Sequence, residues 1–390
     1  MLDRLDQQPP DALLALIKLY DADSRPTKID LGVGVYRTSD GGTPVFAAIK
    51  AAEAKLVAEQ PSKAYLGPEG DMGFVQALIP HVFGEAGNMG GRIDGMQTPG
   101  GTGGVRIAAG LAKKAGVVHV LMGVPSWPNH AQIFADLDMD VVTFDHSAAD
   151  GSANMQALRM ALRNAGKGDA ILLHGCCHNP TGIDYTPDQW DEIASLLVER
   201  EVLPIIDLAY QGLGDGMDED AYGLRTVVAA VPEALIAYSC DKNFGLYRDR
   251  VGAFYALGKT AEDTGRIMSN GYALARANWS MPPDHGGAAV RMVLEDEGLT
   301  AQWLDELASM RARIGEVRAQ LAQSKASGMD LSPLGEQKGM FAMLPLSKDQ
   351  IGALRTVHGV YMAGSGRINV AGLTSGNIGD FVKALDEVAG

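Results

Sequence analysis

The stretch Tyr238-Ser-Cys-Asp-Lys-Asn-Phe-Gly-Leu-Tyr-Arg-Asp-Arg-Val-Gly252 follows an apolar run, Ala234-Leu-Ile-Ala237. The run reads as a buried strand. It gives way to small and polar residues, then Lys242, then Asn-Phe-Gly. A lysine held where a strand ends, with apolar residues on both sides, is poorly solvated. Poor solvation disfavours the ammonium form and makes the amine a nucleophile. A surface lysine in a loop would be spelled the same way locally. The company Lys242 keeps elsewhere in the chain separates the two readings.

Around this stretch, strand and helix patterns alternate. Apolar runs at 117–124, 141–144, 170–173 and 203–206 read as strands, and 251–257 continues the series beyond the lysine. A helix is expected over 152–164. Thr186-Pro-Asp-Gln189 is a capping box with proline in the first turn, opening a helix to about residue 199. The alternation predicts a mostly parallel, doubly wound α/β sheet. Ligands of such sheets sit at the carboxyl ends of the strands. Trp127, Asn179, Asp207, Tyr210 and Lys242 all fall at those ends.

Toward the N-terminus, a short amphipathic helix is expected over 11–20, with Leu13, Leu14 and Ile17 on one side. Residues 29–36, Ile-Asp-Leu-Gly-Val-Gly-Val-Tyr, alternate apolar residues with glycine. Gly32 and Gly34 would let a backbone or a ligand approach closely, and an ordinary glycine-bearing loop reads the same. A helix over 46–59 precedes Lys63-Ala-Tyr-Leu-Gly-Pro68, an exposed-looking turn with an isolated Tyr65. Gln97-Thr-Pro-Gly-Gly-Thr-Gly-Gly104 then runs into an alanine-rich helix over 105–115. Glycines entering a helix point backbone N–H groups and a helix N-terminus at an anion, most simply a phosphate. The spacing matches neither a P-loop nor a dinucleotide fingerprint, so a structural glycine turn fits equally well.

Toward the C-terminus, residues 301–325 repeat Leu304, Leu307, Met310, Ile314, Val317 and Leu321, the seam of a core-facing helix. This helix opens a smaller α+β domain with strands expected at 339–344 and 359–370. The expected division is an N-terminal segment, 1–45, packing with the small domain, a large domain, 46–300, and a small domain, 301–390.

Composition agrees with that plan. With 390 residues, 46% hydrophobic and 21% charged, the chain is an ordinary soluble globular protein long enough for two domains. A net charge of −15 argues against a nucleic-acid partner but leaves room for a local basic pocket. Three cysteines, two of them adjacent (Cys176 and Cys177), make neither a disulfide framework nor a zinc site, so no metal is expected and a reducing cytoplasm fits. Residues 1–10 carry no apolar signal region, and no apolar run approaches the ~18 residues of a membrane span.

Taken as one site, the singled-out residues form a chemical set. They comprise a lysine that can form an imine, an aspartate, a tyrosine, an asparagine, a tryptophan, a glycine-rich anion loop and Arg250, eight residues after the lysine. Pyridoxal 5′-phosphate needs such a set. The imine needs a lysine, and an aspartate keeps the pyridine nitrogen protonated so that the ring withdraws electrons. Tyrosine and asparagine hydrogen-bond the ring oxygen, an indole stacks on the flat ring, and phosphate takes N–H groups, hydroxyls and an arginine fork.

Nine stretches resemble the aspartate/aromatic amino acid aminotransferases, in the fold-type I class of pyridoxal phosphate enzymes. They are Leu31-Gly-Val-Gly-Val-Tyr36, Tyr65-Leu-Gly67, Thr98-Pro-Gly-Gly-Thr-Gly103, Pro125-Ser-Trp-Pro-Asn-His130 and His174-Gly-Cys-Cys-His-Asn-Pro-Thr-Gly182. Asp207-Leu-Ala-Tyr-Gln-Gly212, Lys242-Asn-Phe-Gly-Leu-Tyr247, Arg276-Ala-Asn-Trp-Ser280 and Ala363-Gly-Ser-Gly-Arg-Ile-Asn-Val-Ala-Gly372 complete the series in family order. The resemblance implies a large domain with a mostly parallel seven-stranded sheet plus a smaller α+β domain. It implies a transaminase passing the amino group of aspartate or an aromatic amino acid to 2-oxoglutarate by a ping-pong mechanism.

The resemblance also implies roles. Lys242 forms the internal imine and then moves the proton. Asp207 pairs with the ring nitrogen, backed by His130. Asn179 and Tyr210 hold the ring oxygen, and Trp127 stacks on the ring. Gly101, Thr102, Ser239 and Arg250 hold the phosphate, with Tyr65 reaching in from a second subunit. Arg367 grips the substrate α-carboxylate beside Asn179 and Gly34. Arg276, from the second subunit, faces a distal carboxylate. A homodimer with shared sites follows. Singly, Arg276 could be a surface helix arginine, Tyr65 a plain turn tyrosine, and His174 and His178 satisfied structural histidines.

The chain departs from the family at two places. Asp241 stands where a serine is usual, and a carboxylate ~4 Å from the phosphate is repelled by roughly 4 kcal/mol at an effective dielectric near 20. Asp241 must either point away or be offset by Arg248 or Arg250, and a weaker phosphate cup is expected. Met281 stands where a small polar residue is common. With Val33 and Val35, it would make the side-chain pocket more apolar and favour aromatic as well as acidic substrates. The competing reading is a catalytically impaired amino-acid or cofactor sensor on the same fold. A dinucleotide-binding dehydrogenase is excluded, because no G-x-G-x-x-G follows the first strand.

Overall fold

The computed structural model describes residues 2–7, 12–326 and 328–389. Its strands are β1 (Ile29–Asp30), β2 (Ile93–Pro99), β3 (His119–Val124), β4 (Asp140–Asp145), β5 (Ala170–His174) and β6 (Leu203–Leu208). They continue as β7 (Ala234–Ser239), β8 (Val251–Leu257), β9 (Phe341–Met343), β10 (Val360–Tyr361) and β11 (Arg367–Asn369). The chain divides into two compact units, Pro44–Arg313 with Gln337–Gly339, and Met1–Thr43 with Ile314–Glu336 and Met340–Gly390.

The larger unit is built on a seven-stranded sheet in the order β2-β8-β7-β6-β5-β3-β4. Only β8 runs against its neighbours β2 and β7; the other pairings are parallel. Every residue of β7 and β8 is buried, as helices on both faces of a parallel sheet require. β3 and β5 are adjacent, and the chain winds outward in opposite directions from them, so the sheet has its switch point there. The register aligns His174 with Asp207 and Asp207 with Ala237, a row across three strands at their carboxyl edge. The expected capping box is present, with Thr186 and Gln189 bonding each other's backbone at the start of Pro187–Arg200.

The smaller unit holds β1 paired in parallel with β10, and β9 antiparallel to β11. Arg318, buried, donates to the carbonyls of Leu334 at 3.1 Å and Phe341 at 2.6 Å. Asn369 Nδ2 donates to the carbonyls of Val33 at 2.6 Å and Val35 at 2.7 Å, which ties the 29–36 segment to β11.

The structure corrects several expectations. The long helix, Glu297–Gln323, starts earlier than expected, and its part up to Arg313 belongs to the larger unit, not to a domain opening at 301. Trp303 contributes to this: its ring stacks on Phe244 at 4.2 Å and its indole N–H donates to the Asn243 carbonyl at 2.7 Å, while Arg311 donates to the Gly212 carbonyl at 2.9 Å. Segment 359–370 is two strands, because a turn closes at Gly366, whose φ is +90°. In helix Ala12–Ala22, Leu16 is buried while Leu14 is exposed; residue 11 lies outside the described residues. The edge strand β2 and helix Met72–Phe83 carry no clean periodicity, and sequence reasoning missed them.

Candidate active site

The sheet's carboxyl edge gathers the proposed cofactor residues within the larger unit. β6 carries Asp207, whose Oδ2 takes a hydrogen bond from His130 Nε2 at 2.8 Å. Asp207 Oδ1 is buried and has no partner. His130, fully buried, sits on helix Pro128–Asp136 just beyond β3. Its other nitrogen, Nδ1, is 3.0 Å from Ser126 Oγ, which is itself 3.0 Å from His174 Nε2. Sequence reasoning missed Ser126; it lies inside the Pro-Ser-Trp-Pro motif and carried no signal of its own. The Trp127 ring meets His130 edge-on, with centroids 5.0 Å apart.

Beyond β5, Asn179 Nδ2 donates to the Tyr210 hydroxyl at 3.3 Å, and Asn179 Oδ1 is buried without a partner. Beyond β7, Lys242 Nζ lies 3.5 Å from Ser239 Oγ and 5.1 Å from the centroid of the Tyr210 ring. Burial holds the Lys242 amine below the usual lysine range, while Asp241 and Asp207 pull it back up. These are the residue types and the desolvation that a nucleophilic amine requires.

The glycine motif becomes the first turn of helix Gly100–Lys114. Gly100 has a φ of +70°, and a Cβ there would lie 2.6 Å from Arg250 Nη2 and 3.0 Å from Asp241 Oδ2. A Cβ on Gly101 would lie 2.9 Å from Ser239 Cβ. Glycine therefore lets the helix N-terminus, with Thr102, close onto Ser239, Asp241 and Arg250. Arg250 is held at a φ of +56°, a backbone strain for a non-glycine residue of a kind that clusters at ligand sites. Its Nη1 pairs with Asp241 Oδ2, so Arg250, not Arg248, offsets that carboxylate. Burial raises the Asp241 carboxyl, and Lys242 and Arg250 oppose the rise.

The remaining candidates make contacts of their own. Tyr65 is 94% exposed in the single chain, out on its loop. Arg276 is exposed and donates to Ser280 Oγ at 2.7 Å. Met281 Sδ is 3.1 Å from the Leu66 backbone nitrogen. In the smaller unit, Arg367 donates to the Gly32 carbonyl at 2.8 Å, with its guanidinium 4.5 Å from the Phe341 ring centroid. Gly34 is crowded by that ring, which lies 3.0 Å from where a Cβ would sit.

His174, the end of the hydrogen-bond chain through His130 and Ser126, packs with two further histidines. His174 and His178 have ring centroids 4.1 Å apart, and His178 stacks on His146 at 3.6 Å and 6°. Burial pushes His174 and His178 well below the ordinary imidazole range and His146 down to about 4. Among the described residues, Cys176, Cys177 and Asp220 could meet a metal, with ligand atoms within 4.8 Å of one another. Asp220 is already committed to the amides of Gly212, Gly214 and Asp215 at 2.8 Å, and burial keeps the Cys176 thiol protonated. No helix among the described residues is long and apolar enough to cross a membrane.

The donor set fits pyridoxal 5′-phosphate. An unpartnered buried carboxylate oxygen on Asp207 suits a protonated pyridine nitrogen. A family model described as aminotransferase class I and II matches residues 26–385. A tyrosine aminotransferase of Rhizobium meliloti (strain 1021) is 49% identical, with 96% of each chain covered. An aspartate aminotransferase of Salmonella typhi is 42% identical, with 99% of each covered. The solved structure of an aromatic-amino-acid aminotransferase from Burkholderia pseudomallei, covalently bound to pyridoxal phosphate, superposes with a TM-score of 0.96 at 33% identity, covering 100% of both chains.

Proposed function

The chain belongs to the class I and II aminotransferases, and we propose that it moves the amino group of aspartate or an aromatic amino acid to 2-oxoglutarate with pyridoxal 5′-phosphate held by Lys242. The observation that carries the cofactor assignment is the buried Asp207 oxygen without a partner, set one strand away from a desolvated Lys242. The bound cofactor supplies an electron sink for the bond broken at the substrate's α-carbon. Lys242 Nζ would hold the cofactor through its carbonyl carbon, and once free would take and return the substrate's α-proton. Asp207, its other oxygen held by His130, keeps a negative charge against the ring nitrogen. Asn179 and Tyr210, hydrogen-bonded to each other, hold the ring oxygen, and Trp127 covers the ring.

Ser239, Gly101, Thr102 and Arg250 hold the phosphate. Arg367, with Gly34, binds the substrate α-carboxylate. Arg276 and Tyr65 act on the site of a second copy of the chain. Their exposure in the single chain supports that reading, since a site tyrosine or arginine gains its function by being covered. Two substrates share one site in turn, so the kinetics are ping-pong.

The test is the absorption spectrum of the purified protein with added cofactor, before and after L-aspartate and, separately, L-tyrosine. The expected result is a lysine-bound cofactor band that gives way to the pyridoxamine form with each amino acid. A protein that takes up no cofactor would overturn the assignment.

A further inference from the structure

Asp241 holds the position where the family resemblance leads one to expect an uncharged serine. Its side chain is 3% exposed and bonded twice. Oδ2 pairs with Arg250 Nη1, and Oδ1 accepts from the Val251 amide at 3.1 Å. The same Arg250 nitrogen donates to the Tyr247 carbonyl at 3.1 Å. Arg250 Nη2 reaches the first turn of helix Gly100–Lys114, where the backbone N–H groups of the proposed phosphate cup begin. The Arg250 guanidinium is therefore partly neutralised by a carboxylate built into the fold. An arriving phosphate carries a charge of about −1.5 to −2 and meets that carboxylate at close range.

Resting on the transaminase reading, we infer that Asp241 competes with the cofactor phosphate for Arg250, so the cofactor is retained through Lys242 rather than through its phosphate. The consequence is asymmetric. Pyridoxal 5′-phosphate has an aldehyde, which condenses with the Lys242 amine and releases one water. Pyridoxamine 5′-phosphate has an amine in that place and forms no bond to the chain. It is held by the phosphate cup and ring contacts alone. Each first half-reaction thus converts a covalently held cofactor into an exchangeable one, and this chain sheds and reloads its cofactor in the pyridoxamine state.

The experiment compares wild type with Asp241→Asn and Asp241→Ser. Asparagine removes the charge while keeping an oxygen for the Val251 amide; serine supplies a hydroxyl. Apoprotein of each is titrated with pyridoxamine 5′-phosphate and with pyridoxal 5′-phosphate, read by quenching of tryptophan fluorescence. Both variants are expected to bind pyridoxamine 5′-phosphate at least tenfold more tightly than wild type, about 1.4 kcal/mol, with a smaller gain for the aldehyde form. Wild type converted with L-aspartate is expected to lose its cofactor on gel filtration, and Asp241→Asn to keep it. Equal dissociation constants for pyridoxamine 5′-phosphate in all three proteins would overturn the inference and leave the transaminase reading standing. Failure of all three to bind either form would overturn both.

Discussion

At the scale of single residues, the arrangement turns on which polar atoms are satisfied. Asp207 spends one oxygen on His130 and leaves the other bare in a buried site, an arrangement a fold tolerates when a ligand completes it. Asp207→Asn keeps the shape and removes the charge opposite the ring nitrogen. We expect kcat to fall about 100- to 1,000-fold, the range for losing one preorganised electrostatic partner, with the cofactor still bound in the absorption spectrum. Undiminished kcat would show that Asp207 holds no charge against the ring. Met281 tests a subtler point. Its thioether sits at the Leu66 backbone, next to the loop of Tyr65, where it makes the surroundings apolar and adaptable. Met281→Asn should cut kcat/KM for tyrosine several-fold more than for aspartate, since a pocket change of this size is worth about 1–3 kcal/mol. Equal losses on both substrates would place Met281 outside the pocket that tells them apart.

At the scale of elements, the carboxyl ends of β4 and β5 bring His146, His174 and His178 into a buried stack. His146 Nε2 bonds the Ile183 carbonyl at 2.8 Å, and burial pushes the ring down to about 4. The neutral ring is the native form, while in the unfolded chain it titrates near 6.5. Its contribution to stability is therefore complete above pH 6.5 and is lost as pH falls from there toward 4, by roughly 3 kcal/mol at the lower end. His174 and His178 act in the same direction. Urea unfolding of wild type and His146→Gln from pH 7 to 4.5 should give wild type the steeper loss by about one proton; parallel curves would contradict this. This stack also marks where the sequence stopped being informative. The strands announced themselves, because β5 through β8 are mostly apolar and their polar residues, His174, Asp207 and Ser239, come at or near the carboxyl ends. His174 and His178 were readable as structural, but nothing in the spacing placed His146 against them, since contacts between strand ends depend on register. β2 was invisible for a related reason. It needs Gly95, where a side chain would strike Tyr255, so its pattern reflects a neighbour rather than its own periodicity.

At the scale of the whole molecule, the motifs ran in family order along nearly the entire chain, which is why Lys242, Asp207 and Asn179 could be named before any coordinates. The division of the chain was harder to read. A continuous helical seam gives no sign that Glu297–Gln323 passes from one unit to the other at Arg313, because long-range contacts of Trp303, Glu306 and Arg311 with the larger unit hold its first part there. Tyr65 and Arg276 pose the remaining question, since each has a role only if a second copy of the chain brings it to a site. The proposed homodimer makes a prediction that no monomer could satisfy. Lys242→Ala lacks the amine in its own sites, and Arg276→Ala lacks the distal arginine it would lend to its partner. Each homodimer should be inactive or nearly so toward aspartate. In a mixed dimer, the intact Lys242 of one chain meets the intact Arg276 of the other, which restores one site and leaves the second doubly broken. After unfolding and refolding an equimolar mixture, random pairing yields half mixed dimers with one working site in two, so about a quarter of wild-type activity with aspartate should return. If Arg276 acted within its own chain, no mixed dimer would hold an intact site, and the mixture would stay inactive.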